Sequence, residues 1–105
     1  MSGFYMLAGT ALTDLSLQQL SSLCRQQGLD PEVEEDEFSL HADATLTFRE
    51  GFDHEVVLVG DASGVEALTR LAVKVSSLLS EQGISHAYEI YDPSNELIEE
   101  FASDQ

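Results

Sequence analysis

Hydrophobic residues recur at two different periods along this chain, and the change of period marks out its elements. Phe4 to Leu12 is a short apolar stretch bounded by Gly3 and the Thr13-Asp14 pair, which predicts a buried first strand with a weak point or bulge at Gly9. Leu17, Leu20, Leu23 and Cys24 then follow helical spacing. Ser16 and Gln19 have the spacing of a capping box, Leu15 and Leu20 that of a hydrophobic staple, and Gly28 can take the left-handed closing position. The first helix is therefore predicted over about 16–27.

From Phe38 to Phe48 every apolar residue has an even number: Phe38, Leu40, Ala42, Ala44, Leu46 and Phe48. Glu37, Ser39, His41, Asp43, Thr45, Thr47 and Arg49 hold the odd positions, so a single strand over 37–49 is predicted, with one face on a core. After a turn around Gly51, Glu55 to Val59 reads as a central strand ended by Gly60-Asp61. Ser63 and Glu66 have capping-box spacing before the stripe Val65, Leu68, Leu71, Ala72, Val75, Leu78 and Leu79, with Gly83 closing a second helix of roughly 19 residues. His86 to Tyr91 alternates again, Asp92-Pro93-Ser94-Asn95 has the type I turn signature, and 96–101 reads as a further strand folded back on it.

This order predicts an α+β fold of the ferredoxin-like β-α-β-β-α-β type, a single domain over 1–105 with two helices on one face of an antiparallel sheet and an extra C-terminal hairpin strand. Right-handed crossovers would bring the first and third strands together at the centre and leave 37–49 at an edge. A strand that long would run about 43 Å. The excess over its short neighbour predicts a homodimer joined through this edge.

Charge adds a second pattern. Residues 30–61 carry eleven acids against Arg49, and residues 85–105 carry six acids and no base, so the net charge of −16 lies entirely in the strand and loop segments. Such a surface repels nucleic acid and anionic membrane and steers basic partners toward itself. The lone Cys24 excludes an internal disulfide framework, the N-terminal stretch makes a poor secretory signal, and no apolar run approaches bilayer length. The cytoplasm is the expected location.

Motifs for chemistry are weak. His41, Asp43, Asp53, His54 and His86 are of metal-ligating type, but no pair has i, i+4 spacing on a helix and the acidic 30–37 run lacks the ligand pattern of a calcium loop. That run reads as a charged, flexible connector, and the histidines as solvated. Cys24 falls on an apolar stripe, Gly-x-Ser-x-Gly is absent, and Gly60 to Gly64 is followed by no phosphate-binding lysine. No catalytic residue, cofactor or metal site is assigned. The expectation is a non-enzymatic acidic protein that binds a basic surface of another protein, as inhibitors, immunity proteins and adaptors do, nucleic-acid mimicry being its sharpest form. Its predicted binding residues are Glu34, Glu35, Asp36 and Glu37 in the acidic run, His41 and Asp43 on the long strand's outer face, and Glu89 and Tyr91 on a later strand. The alternative is a small-molecule sensing or regulatory domain of the same fold, with its ligand at a strand-to-helix turn or between protomers.

Overall fold

A computed structural model describes residues 3–103. Its elements, in chain order, are β1 (Tyr5–Leu12), α1 (Leu17–Gln26), β2 (Pro31–Val33), β3 (Glu37–His41), β4 (Thr45–Glu50), β5 (Glu55–Ala62), α2 (Val65–Glu81), β6 (Ser85–Tyr91) and β7 (Leu97–Ala102). The seven strands form one sheet in the order β2-β3-β4-β5-β1-β6-β7, and every pairing is antiparallel. This is a mixed α+β architecture with more strands than the sequence pattern predicts.

The two additional strands lie between α1 and β5: β2 is one, and the other arises from a reversal at residues 42–44. The predicted strand 37–49 folds on itself there, pairing Phe38 with Phe48, Leu40 with Leu46 and His41 with Thr45. A three-residue connection keeps even numbers opposite even numbers, so both arms keep their even side chains on the core although the chain reverses. The alternation therefore runs through the turn unbroken. β5 meets β1 antiparallel, Tyr5 opposite Ala62 and Leu12 opposite Glu55. The first and third predicted strands do become neighbours at the sheet centre, but 37–49 is not an edge. β3 is paired with β2 and β4, and β4 with β3 and β5. The length of 37–49 is absorbed within the chain by this pairing.

Both helices cover one face. From the strands, Leu7, Ala11, Phe38, Leu40, Leu46, Phe48, Val56, Leu58, Tyr88 and Ile90 join Leu20 and Cys24 of α1 and Leu68, Leu71, Ala72, Val75, Leu78 and Leu79 of α2 in one buried cluster. Phe38 and Phe48 stack with ring centroids 4.4 Å apart. Tyr88 donates its hydroxyl proton to the Ala72 carbonyl over 2.5 Å, tying β6 to α2. Burial pushes the ionisation of this phenol well above its usual range.

Local signals explain most boundaries. In α1 the Ser16 hydroxyl accepts from the Gln19 amide at 3.1 Å while the Gln19 side chain accepts from the Ser16 amide at 2.8 Å. At the helix ends, Gly28 (φ 85°) and Gly83 (φ 69°) take left-handed geometry, and the amides of Leu29 and Ile84 reach back to the carbonyls of Cys24 and Leu79. α2 starts differently from expectation. β5 continues through Gly60-Asp61 to Ala62 because β1 and β4 pair with it on both sides, so the chain enters the helix at Gly64 and no side chain caps it. Gly9 likewise interrupts nothing. A Cβ there would lie 2.2 Å from the Ala87 carbonyl oxygen and 2.3 Å from Tyr88 Cα, so glycine is what lets β6 cross close to β1. The acidic 30–37 segment is more ordered than a connector, forming β2 and a turn in which the Glu34 amide donates to the Glu37 carbonyl at 2.8 Å.

The open acidic face of the sheet

No helix covers the second face of the sheet, and the pairing registers give its layout. One row across all seven strands reads Glu32, Ser39, Thr47, Val59, Ala8, Glu89, Glu100. A parallel row from β3 reads His41, Thr45, Asp61, Met6, Tyr91, Leu97. A third reads Glu37, Arg49, Val57, Thr10, Ala87, Ala102. Thus β2 to β4 present polar groups, while β5, β1 and β6 present an apolar strip with acids at its margins. Met6 is 47% exposed and Leu12 56%, large values for apolar side chains on an inner strand, and Leu97 on the edge strand β7 is 49% exposed. Seven strands at the usual spacing make this face about 29 Å wide.

The predicted binding residues do not converge on one point. Glu37 lies on the open face and receives a hydrogen bond from Arg49 Nε at 2.9 Å. Glu34, Glu35 and Asp36 form the exposed turn at that same end of the sheet, where Glu35 borders a depression of about 360 Å³ with Asp14, Glu50, His54 and Glu55. His41 sits at the opposite end of β3, its Nε2 3.1 Å from Glu32 Oε1 and its Nδ1 3.3 Å from Thr45 Oγ1. Glu89 and Tyr91 are on the open face of β6, four strands away from β3. The Tyr91 hydroxyl donates to Glu89 Oε1 at 3.3 Å, and the Glu89 charge raises its ionisation above the ordinary phenol range. Asp43 is the exception: the hairpin tip turns it toward the helices, where it borders a cavity with Arg70 and Lys74.

Two residues escaped the sequence pattern. Phe52, at the tip of the β4–β5 turn, is 86% exposed, and the turn is held by consecutive left-handed residues Asp53 (φ 49°) and His54 (φ 67°). The His54 carbonyl accepts from the Thr13 amide at 2.7 Å, and its ring Nδ1 pairs with Asp14. An aromatic flanked by Glu50 and Asp53 is a feature that turn chemistry alone does not announce. The second is His86, expected in solvent but 5% exposed on the core face. Its Nδ1 faces the Ile84 carbonyl at 3.0 Å and its Nε2 the Ser76 hydroxyl at 2.7 Å, which satisfies both nitrogens and joins β6 to α2. The alternation Ile84, His86, Tyr88, Ile90 held that signal.

Among the described residues no group of three or more His, Cys, Asp or Glu side chains is placed to hold a metal ion, and no helix is long and apolar enough to cross a membrane. Cys24 is buried in α1, and burial drives its thiol up to about 11 against a smaller opposing effect of Arg25. Compared with known proteins, the chain matches no protein-family model, no curated protein and no solved structure.

Proposed function

We propose that this is a non-enzymatic binding protein whose open sheet face docks on a basic surface of another protein, in the manner of an inhibitor, immunity protein or adaptor. The observation that carries this reading is the uncovered strip Val57, Val59, Met6, Ala8 and Tyr91, bordered on one side by Arg49 and its ion-pair partner Glu37 and on the other by Glu89 and Glu100. A docking surface needs apolar anchors for affinity and a charged rim for orientation and rate, and this face has both. The net charge of −16 extends the attraction beyond contact distance. Mimicry of nucleic acid is a weaker form of the same reading, because Ser39, Thr47 and His41 break up the rows of carboxylates on the β3–β4 half. A reducing, cytoplasmic setting fits the single buried cysteine.

The test is affinity capture from the source cell by the parent protein and by a Met6→Asp, Tyr91→Asp variant, with mass spectrometry of what each retains. The reading expects a basic protein bound by the parent in stoichiometric amount, released by rising salt and lost with the variant. Equal capture by both would place the interaction elsewhere.

A second reading has its own observation. Leu29, Ala42, Ala67 and Leu71 line a cavity of about 290 Å³ with Arg70 and Lys74 one helical turn apart at its rim and Asp43 beside them. The ion pairs among the described residues involve neither cation, although the chain has only four Lys and Arg in all. A small anionic ligand with an apolar body would suit this place, which is the sensing alternative. A rise in melting temperature with a medium-chain carboxylate, abolished by Arg70→Gln and Lys74→Gln, would favour it over the docking face.

A further inference from the structure

The sheet has two edges, and they are unequal. On β2, Pro31 and Val33 alternate with Glu32, whose pairing with Ser39 is of the hydrogen-bonded kind given the Glu34-to-Glu37 bond two residues on. Pro31 has no N–H, so that edge offers an incoming strand a single donor, from Val33. β7 is six residues long and holds no proline and no lysine. The Ser103 amide donates to the His86 carbonyl at 3.0 Å, and along the continuous register this makes Phe101 with Tyr88 and Glu99 with Ile90 the hydrogen-bonded pairs. The N–H and C=O groups of Glu100 and Ala102 therefore point away from the sheet. They form an open ladder.

What lies on either side of that ladder defines its occupant. On the helix side, Val65, Glu66, Thr69, Arg70 and Val73 of α2 and Glu99 of β7 line a depression of about 570 Å³, with Val73 49% exposed. On the open side, Glu89 and Glu100 end their row side by side. A strand added beside β7 would send alternate side chains over Val65, Thr69 and Val73 in this depression and the others next to carboxylates. A second copy of this chain fits badly, because a two-fold antiparallel pairing centred on residue 99 or 100 sets that glutamate opposite its own copy, and like charges directly opposed destabilise a sheet.

We propose that β7 takes an extended segment of the partner as an eighth strand, one in which lysine or arginine alternates with small apolar residues. This rests on the basic-partner reading and adds the mode of binding: main-chain hydrogen bonds to Glu100 and Ala102 supply affinity, and the alternation supplies selectivity. The apolar side chains fill the depression under α2, and the cations lie beside Glu89 and Glu100.

The test uses two acetylated nonapeptides of equal charge, one alternating lysine and valine, the other with two of its valines replaced by proline so that it cannot form a ladder. Isothermal titration should show the alternating peptide bound at least tenfold more tightly, and hydrogen exchange should show the Glu100 and Ala102 amides slowed at least tenfold on binding. Ala102→Pro removes an edge donor without removing charge and should lower affinity for the alternating peptide at least tenfold. Should that variant fold poorly, the exchange result on the parent protein decides. Equal affinity for the two peptides without new protection would overturn strand addition while leaving the basic-partner reading standing. Binding of neither peptide at millimolar concentration would overturn both. Amides already protected in the free protein, together with a dimer by light scattering, would give the edge to a second copy and overturn the proposal.

Discussion

Replacing Gly9 by alanine tests the register on which the open face depends. That register sets Ala8 beside Glu89 and Met6 beside Tyr91, and it holds only while β6 passes close to β1. An added Cβ would stand 2.2 Å from the Ala87 oxygen and 2.3 Å from both Tyr88 Cα and Cβ. Ordinary contact would require the β6 backbone to retreat by more than about 1 Å, which a paired strand buried against α2 resists. Overpacking costs about 1–3 kcal/mol even where side chains can yield, and these neighbours are largely backbone. Lost chain flexibility in the unfolded state returns only about 0.4–1 kcal/mol. A net cost of about 3 kcal/mol is expected, a fall of roughly 12–24 °C in melting temperature for a domain of this size. Gly28→Ala provides the contrast, because its φ of 85° brings strain but no atom lies within 4 Å, and a cost of about 1 kcal/mol follows. Thermal unfolding followed by far-ultraviolet circular dichroism measures both. A Gly9→Ala protein melting within two or three degrees of the parent would refute the β1–β6 packing and the face built on it.

Further outcomes follow from the same geometry. Ser16→Ala should cost about 1 kcal/mol and Ser63→Ala less than about 0.5, since only Ser16 caps its helix; urea titration separates them. Leu46→Ala, Leu71→Ala and Phe48→Ala should each cost about 2–5 kcal/mol by the same titration, as expected of buried side chains. Cys24 should resist iodoacetamide at pH 8 in the folded protein and react at once in denaturant. Because burial raises its thiol from 9.0 to about 11, the stabilisation is whole below pH 9 and declines as pH rises toward 11, so urea midpoints of the parent should fall over that window more than those of Cys24→Ala.

The sequence made some levels of this structure legible and hid others. Both helices, their closing glycines, the first cap and the last hairpin could be read because each depends on residues within one turn of one another. The β3–β4 reversal was hidden because three residues, 42–44, preserve the even-numbered pattern that would have broken across a connection of two. No proline or asparagine-glycine pair marks it. From that one turn came the shortfall in strand count and the supposed edge at 37–49 on which the expected dimer rested. The acidic character of the open face was visible in the odd-numbered residues, but its apolar strip was not: Met6, Ala8, Val57 and Val59 come from two strands whose continuous hydrophobicity does not tell which side faces helices. Phe52 and the open ladder of β7 depend on tertiary placement that periodicity does not carry.

The central claim is that an acidic face governs encounter with a basic partner, and the salt dependence of association tests it most directly. With the captured partner in hand, stopped-flow association and dissociation rates are measured as salt rises from about 0.05 to 0.5 M, which shortens the screening length from roughly 14 to about 4 Å. The account predicts an association rate falling by one to two orders of magnitude with the dissociation rate changed less than about threefold, and a weaker salt dependence in a Glu37→Gln, Glu89→Gln, Glu100→Gln variant. An association rate indifferent to salt, or one unchanged by the three substitutions, would contradict it.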